Sequence, residues 1–171
     1  FTCQLTVLGC LAILAGRQHG AIDAAEEQRL ITAMMNAPRL VGDAIKSSAE
    51  LERASHELTK AQDILFLGRG SLFPLALEGA LKLKELSYIH AEGFASGELK
   101  HGPIALIDDS VPVIVFAPSG GLFDKTVSNM QEVMARGGKV LLITDEAGAA
   151  HASDGVWDTV LMPKVDPFTA P

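Results

Sequence analysis

Several residue types that mark particular classes of protein are scarce in this chain of 171 residues. Cysteine occurs twice, without a Cys-x-x-Cys pair, so neither a disulfide framework nor a cysteine zinc site is indicated. The five histidines lack metal-ligand spacing, and we expect no metal and no cofactor. Lysine and arginine number 14 against 21 acidic residues, a net charge of −7, which argues against a nucleic-acid partner.

Long apolar runs are also missing. The run from Leu5 to Ala15 is too short to cross a membrane and has no basic segment before it, so we expect neither a membrane span nor a signal peptide. Cys3 and Cys10 lie in this region, and we expect them to be small buried apolar residues of a cytoplasmic protein. Because the chain opens on Phe1 rather than Met, we expect its natural N-terminus to lie further upstream.

The first 60 residues carry helical patterns only. We predict an apolar helix to about Arg17, then a helix that begins at the N-cap Asp23 and ends near Asn36. Pro38 is expected to open a new helical turn, and Ser47 or Ser48 a helix to about Lys60.

Residues 61–171 alternate between strand and helix patterns. Four short apolar runs have strand length: Asp63–Leu67, Pro112–Phe116, Lys139–Thr144 and Trp157–Met162. Helices are predicted over Phe73–His90 and Leu122–Arg136. Continuous apolar strands between helices favour a parallel sheet covered on both faces. We therefore expect an α/β three-layer αβα sandwich over 61–171, preceded by a helical lead-in over 1–60.

The most informative helix holds Glu78, Lys82 and Glu85. Because successive helical residues advance by about 100°, these three side chains fall within an arc of about 60°. Two carboxylates beside an ammonium group suit proton transfer. The alternative is an ordinary surface pair of glutamate and lysine. The apolar residues on the neighbouring turns favour a partly buried helix, and with it the proton-transfer interpretation.

Two further motifs follow predicted elements. His101, between Lys100 and Gly102-Pro103, has the side chain most often used to move protons near neutral pH, but histidines are also common on surface loops. Gly68-Arg-Gly70-Ser71 follows the first strand, where phosphates often bind in α/β sheets. It lacks the third glycine of a dinucleotide fingerprint, and a tight turn is the favoured interpretation.

Three stretches carry a resemblance to a known family: Leu65–Gly70, Ala76–Glu92 and Gly97–Pro103. They resemble the second of two sugar isomerase (SIS) modules in glucosamine-6-phosphate synthases, the isomerising glutamine:fructose-6-phosphate aminotransferases. The resemblance implies a flavodoxin-like SIS domain. It also implies a transferase of hexosamine biosynthesis that forms glucosamine 6-phosphate from fructose 6-phosphate and the ammonia of glutamine.

By the same resemblance, Glu85 is the base that moves a proton between C1 and C2 of the sugar. Lys82 assists proton movement between the sugar oxygens, and His101 opens the sugar ring in the site of a partner subunit. Glu78, by its helical spacing, is expected to orient Lys82. The implied partners are the sugar phosphate, a second copy in a homodimer, and a glutaminase module and first SIS module in the same polypeptide.

The chain also departs from the family pattern. The turn Ala117–Gly121 lacks the Ser/Thr-rich SxSGxT pattern that holds the sugar phosphate, so we expect the catalytic-helix half rather than the phosphate-binding half. The glutaminase domain and the C-terminal lysine tail are missing, and the fragment alone is expected to be inactive or nearly so. Two alternatives stay open: a stand-alone SIS deaminase or deglycase of amino-sugar phosphates, and a non-catalytic SIS module that senses a sugar phosphate.

Overall fold

The computed structural model describes residues 1–46 and 48–170, and within them helices precede and then alternate with strands. The helices are α1 (Thr2–Gln18), α2 (Ala24–Lys46), α3 (Ser48–Leu58), α4 (Leu72–Ser87), α5 (Phe123–Ala135) and α6 (Glu146–Ala152). The strands are β1 (Asp63–Gly68), β2 (His90–Ala95), β3 (Pro112–Phe116), β4 (Lys139–Thr144) and β5 (Asp158–Leu161). Two short 3₁₀ helices, Ser96–His101 and Pro103–Leu106, connect β2 to β3.

The five strands form a parallel sheet in the order β2-β1-β3-β4-β5. This is the flavodoxin-like, doubly wound order, in which the direction of winding reverses between β1 and β3. The prediction of a parallel α/β sheet is confirmed. The apolar runs become strands because β1, β3 and β4 are covered on both faces, so both sets of alternate side chains are buried.

Helices pack on both faces of the sheet and make three layers. Leu65 of β1 belongs to a buried cluster that includes Met130 of α5 and extends to the first 3₁₀ helix. Phe66, the next residue, belongs to a second cluster with Ala54 of α3 and Ala80 of α4. Because adjacent strand residues point to opposite faces, α3 and α4 cover one face, and α5 with the 3₁₀ helix covers the other.

The helix α4 lies close to the edge strand β2. A Cβ atom at Gly93 would stand 2.8 Å from the backbone of Ala76, so a residue with a side chain would force the helix and strand apart. Ala76 and Ala80, both buried, keep the facing side of α4 narrow. The position of α4 is therefore set by small residues on both sides of the contact.

The strand β2 corrects the prediction that a single helix runs to His90. The helix ends at Ser87, and His90 begins β2, where its Nδ1 lies 2.7 Å from Asp63 Oδ1 on β1. The segment is an edge strand paired with β1 alone, and an edge strand needs no continuous apolar run. The sequence of β2 contains no such run, so the strand was not predicted. The helix α6 was not predicted either.

The helix α2 is longer than predicted. Its N-terminus is confirmed, because Asp23 Oδ1 accepts a hydrogen bond of 2.8 Å from the backbone N–H of Glu26. The helix then continues through Pro38 to Lys46, rather than ending near Asn36. A proline removes one backbone donor, but here the helical conformation continues past it. The helix predicted from Ser47 or Ser48 is α3, which begins at Ser48; Ser47 lies outside the described residues.

Residues 1–43 and 165–170 form one compact unit, and residues 44–164 form another. In the first, the prediction that Cys3 and Cys10 are buried is wrong, since both are exposed free cysteines. Ile13 is the buried residue of α1, all of which is described, and apolar side chains such as Val7 face outward. The apolar pattern correctly predicted the helix α1, but it did not indicate which of its side chains are buried within this chain. Within the described ranges, no helix combines the length and hydropathy that a membrane crossing needs.

Candidate functional site

The structure brings together the three α4 residues that helical spacing had grouped. Lys82 Nζ lies 2.6 Å from Glu85 Oε2 and 3.8 Å from Glu78 Oε1. The side chains of Lys82 and Glu85 are about half exposed, at 51% and 50%, whereas Glu78 is 22% exposed. The lysine therefore stands between two carboxylates, one open to solvent and one largely covered.

The charge of Lys82 is reinforced by this arrangement. Its hydrogen bond to Glu85 raises the pKa of the lysine, partial desolvation opposes the rise, and the charges of Glu85 and Glu78 add to it. Lys82 is thus an ammonium group at neutral pH. A carboxylate that can accept a proton, beside a cation that can stabilise an oxyanion, is the minimal equipment for moving a proton next to a carbonyl group.

The outer face of α4 is more exposed than its sequence predicted. Leu81 is 43% exposed and Leu86 82%, and Tyr88, which ends the helix, is 93% exposed. The helix meets the sheet through Ala76, Ala80 and Leu83, whereas Leu77, Leu81 and Leu86 are exposed. The Lys82–Glu85 pair consequently lies on a surface that is partly apolar.

His101 ends the first 3₁₀ helix, with its side chain 74% exposed. Its Nδ1 lies 2.8 Å from Glu98 Oε2. If Nδ1 carries the proton and donates to Glu98, Nε2 is left to exchange a proton with a ligand. Sequence reasoning missed Glu98, although its position three residues before His101 was an available signal.

The structure does not bring His101 to the Lys82–Glu85 pair. The 3₁₀ helix that carries His101 buries Leu99 in the cluster with α5, and Lys100 Nζ lies 2.9 Å from Glu132 of α5. The helix α4 packs against the opposite face of the sheet. The two parts of the predicted site therefore lie on different faces of one chain.

The turn between β3 and α5 does not resemble a phosphate loop. Its one serine, Ser119, donates a hydrogen bond of 2.6 Å from Oγ to Asp145 Oδ2. Burial tends to raise the pKa of Asp145, but hydrogen bonds from Ser119 and from the backbone N–H of Gly148 lower it overall. The hydroxyl is thus engaged by a carboxylate, whose negative charge would repel a phosphate.

Arg69, in the turn after β1, is also held internally. Its Nη1 donates a hydrogen bond of 3.2 Å to Asn129 Oδ1, and the guanidinium lies against Gly97. In the described part of the chain, no group of three His, Cys, Asp or Glu side chains is arranged to hold a metal ion.

Comparison with protein families matches the SIS domain over residues 57–168. The chain belongs to the SIS domain family. Among curated proteins, the glutamine–fructose-6-phosphate aminotransferase (isomerizing) of Rhizobium meliloti (strain 1021) is 58% identical over 172 residues. The protein of that name from Zymomonas mobilis is 55% identical over 171 residues. Each alignment spans 100% of this chain and 28% of the relative.

A solved structure gives the same result for the fold. The C-terminal domain of glucosamine-fructose-6-phosphate aminotransferase from Francisella tularensis matches with a TM-score of 0.90 and 38% identity. The match covers 94% of this chain and 45% of that domain. The predicted resemblance of this SIS module to glucosamine-6-phosphate synthases is confirmed, and the chain corresponds to part of their isomerase domain.

Proposed function

We propose that this chain is the second SIS module of an isomerising glutamine:fructose-6-phosphate aminotransferase, an enzyme that forms glucosamine 6-phosphate and glutamate. Residues 1–60 would lead in from the preceding SIS module, and residues 61–171 would form the module itself. The observation that carries the proposal is the position of Lys82 on α4 between two carboxylates, Glu85 at 2.6 Å and Glu78 at 3.8 Å. The identity of 55–58% with the aminotransferases, over this part of their length, supports it.

The isomerisation step suits these side chains. Ammonia adds to the C2 carbonyl of open-chain fructose 6-phosphate, and loss of water leaves an imine. Glu85 would then remove a proton from C1 of the protonated imine, giving a neutral enolamine. It would return that proton to C2 while the C1 hydroxyl releases its own, which leaves an aldehyde at C1 and an amine at C2. Lys82 would stabilise the negative charge that develops on the C1 oxygen. Glu78, 3.8 Å from the ammonium, would hold Lys82 in position.

Ring opening would use His101 from a second subunit. A proton delivered to the ring oxygen by the imidazole would release the open-chain sugar, and Glu98 would orient the imidazole. The positions of His101 and Glu85 on opposite faces of one chain support the idea that each site takes these groups from two copies. We therefore propose a homodimer. We also place it in the cytoplasm, since Cys3 and Cys10 are free.

The experiment uses the intact protein that contains this chain. It is incubated with fructose 6-phosphate and either glutamine or ammonia, and glucosamine 6-phosphate is measured. Product from glutamine supports the aminotransferase. Turnover with ammonia alone would instead indicate a deaminase or deglycase acting in reverse. Sugar-phosphate binding without turnover from either donor would indicate a sensing module and overturn the proposal.

A further inference from the structure

Tyr88 joins α4 to β2 through a left-handed backbone conformation. Its φ is 63° and its ψ is 6°, and among the non-glycine residues of the described chain it is the one with a positive φ. A left-handed residue often ends a helix, but that residue is usually glycine, because a Cβ atom crowds the backbone there. The end of the helix explains why the backbone is left-handed at this position, but it does not explain why the residue is tyrosine rather than glycine.

The neighbouring residues hold this turn without help from the tyrosine side chain. Ser87 Oγ donates a hydrogen bond of 2.7 Å to Leu83 O and accepts one of 3.2 Å from the backbone N–H of Ile89. The backbone N–H of Tyr88 donates to Lys84 O at 3.1 Å. A single serine thus links the residues on both sides of Tyr88. Strained residues persist where the surroundings fix them in this way, and they are frequent at functional sites.

The side chain of Tyr88 does not contribute to packing within its own chain. It is 93% exposed, more than any other large apolar or aromatic side chain in the described residues. Its hydroxyl makes no hydrogen bond to another described residue. Glycine at this position would form the same turn with less strain. Neither the backbone nor the core accounts for the tyrosine, so its function lies in what the ring contacts outside the folded chain.

The position of Tyr88 indicates what that contact is. It is three residues beyond Glu85, in the turn that ends α4. The Lys82–Glu85 pair is half open to water, and proton transfer from a carbon atom is favoured where water is excluded. An aromatic ring covers the C–H groups of a sugar, and a phenol can hydrogen-bond to a sugar hydroxyl.

We infer that Tyr88 forms one wall of the sugar-phosphate site beside the Lys82–Glu85 pair, contacting the substrate through its ring. The inference rests on the proposed function and adds a substrate-contacting residue to it. The rigid turn would present the ring in one orientation before the substrate arrives, which lowers the entropy lost on binding.

The test uses the intact enzyme with Tyr88→Gly, Tyr88→Phe and, as a control, Leu86→Ala, which truncates an 82% exposed side chain on the same turn. We expect Tyr88→Gly to melt at or above the wild-type temperature, while KM for fructose 6-phosphate rises by about tenfold or more. Equilibrium binding of fructose 6-phosphate should weaken in parallel. Tyr88→Phe should keep KM within about threefold of wild type, because the ring remains. Leu86→Ala should change neither quantity.

Three results would overturn the inference while leaving the proposed function intact. The first is an active Tyr88→Gly enzyme with unchanged KM and sugar-phosphate binding. The second is a lower melting temperature, which would make Tyr88 a structural residue. The third is a smaller particle in light scattering, with KM restored at high protein concentration, which would make it an anchor between subunits. If the wild-type enzyme turns over no fructose 6-phosphate, the proposed function fails, and the assignment of Tyr88 fails with it.

Discussion

Lys82 Nζ and Glu85 Oε2 lie 2.6 Å apart near the end of α4, in an ion pair that is half exposed on both sides. A second pair with the same spacing and distance, Lys60 and Glu57, lies at the end of α3. The geometry of the pair is therefore not what distinguishes the α4 site. The distinction is the second carboxylate, Glu78, and the tight packing of α4 against β2.

Glu78→Gln tests the role of this second carboxylate. The charge of Glu78 helps to raise the pKa of Lys82, so its removal should let Lys82 lose its proton at a lower pH. We expect the alkaline limb of the kcat profile of the intact enzyme to move to lower pH, with kcat at neutral pH reduced by about three- to tenfold. An unchanged alkaline limb would contradict the assigned role. Glu57→Gln, which alters the Lys60–Glu57 pair, is the matched control and should leave the profile unchanged.

Mixed dimers test whether His101 acts in the site of a second subunit. Glu85→Gln and His101→Asn should each inactivate the intact enzyme. When equal amounts of the two are unfolded and refolded together, half of the dimers are mixed, and each mixed dimer has one site with both groups intact. Activity should return to about one quarter of wild type. Absence of recovery, with mixed dimers demonstrated by affinity tags, would show that both groups act within one chain.

Gly93→Ala tests the contact between α4 and β2. The new Cβ atom would meet the backbone of Ala76 and Leu77 at 2.8 Å, so the helix must move or the strand must shift. We expect the free energy of unfolding to fall by about 1–3 kcal/mol, measured by urea denaturation of the intact protein. Gly121→Ala is the control, because nothing lies within 4 Å of its Cβ position. Equal stabilities of the two variants would contradict the described packing.

The ion pair between Arg53 and Asp158 predicts a pH dependence of stability. Arg53 donates from Nε and Nη2 to the carboxylate of Asp158 at 2.9–3.1 Å, joining α3 to β5. These bonds lower the pKa of Asp158 below its ordinary value of 3.8, although burial opposes the shift and the backbone N–H of Thr159 assists it. A depressed carboxyl pKa stabilises the fold above the unfolded value, and this stabilisation is lost as the pH falls through the folded value.

Asp158→Asn should therefore melt at a lower temperature than wild type at pH 7. The free energy of unfolding should fall by only about 1 kcal/mol, because Arg53 is largely exposed to solvent. The difference should narrow as the pH falls below about 4. Melting curves of the intact protein between pH 3 and 7 provide the measurement, with Asp109→Asn on an exposed turn as the control. A difference that stays constant across this range would show that the ion pair does not stabilise the fold.

The elements with strong periodic or continuous apolar patterns were predictable from the sequence. Val113–Val115 are three buried residues in a row, as a central parallel strand requires. The strand β2 was not predictable in this way, because an edge strand containing Glu92 and Gly93 has no such pattern. The length of α2 was misjudged because Pro38 was treated as a boundary, whereas the helix continues through it.

The candidate site was predictable where it depends on local spacing. Helical geometry alone groups Glu78, Lys82 and Glu85, and the structure brings them into one cluster. Helical spacing does not predict the left-handed conformation of Tyr88, because that conformation depends on how the chain turns from α4 into β2. The sheet face that carries His101 depends on the path of the 3₁₀ helices, which have too few residues for a periodic signal.

The central claim is that Glu85 moves the proton between C1 and C2, and one measurement tests it directly. The intact enzyme is given fructose 6-phosphate and glutamine in D₂O, and the rate of glucosamine 6-phosphate formation and its deuterium content at C2 are measured. We predict that the wild-type product carries less deuterium at C2 than the solvent does, because Glu85 returns to C2 a proton taken from C1. The rate of Glu85→Gln, which keeps the shape of the side chain, should fall by at least about 100-fold. Glu57→Gln should behave as wild type. A Glu85→Gln enzyme that still forms product at the wild-type rate would contradict the account.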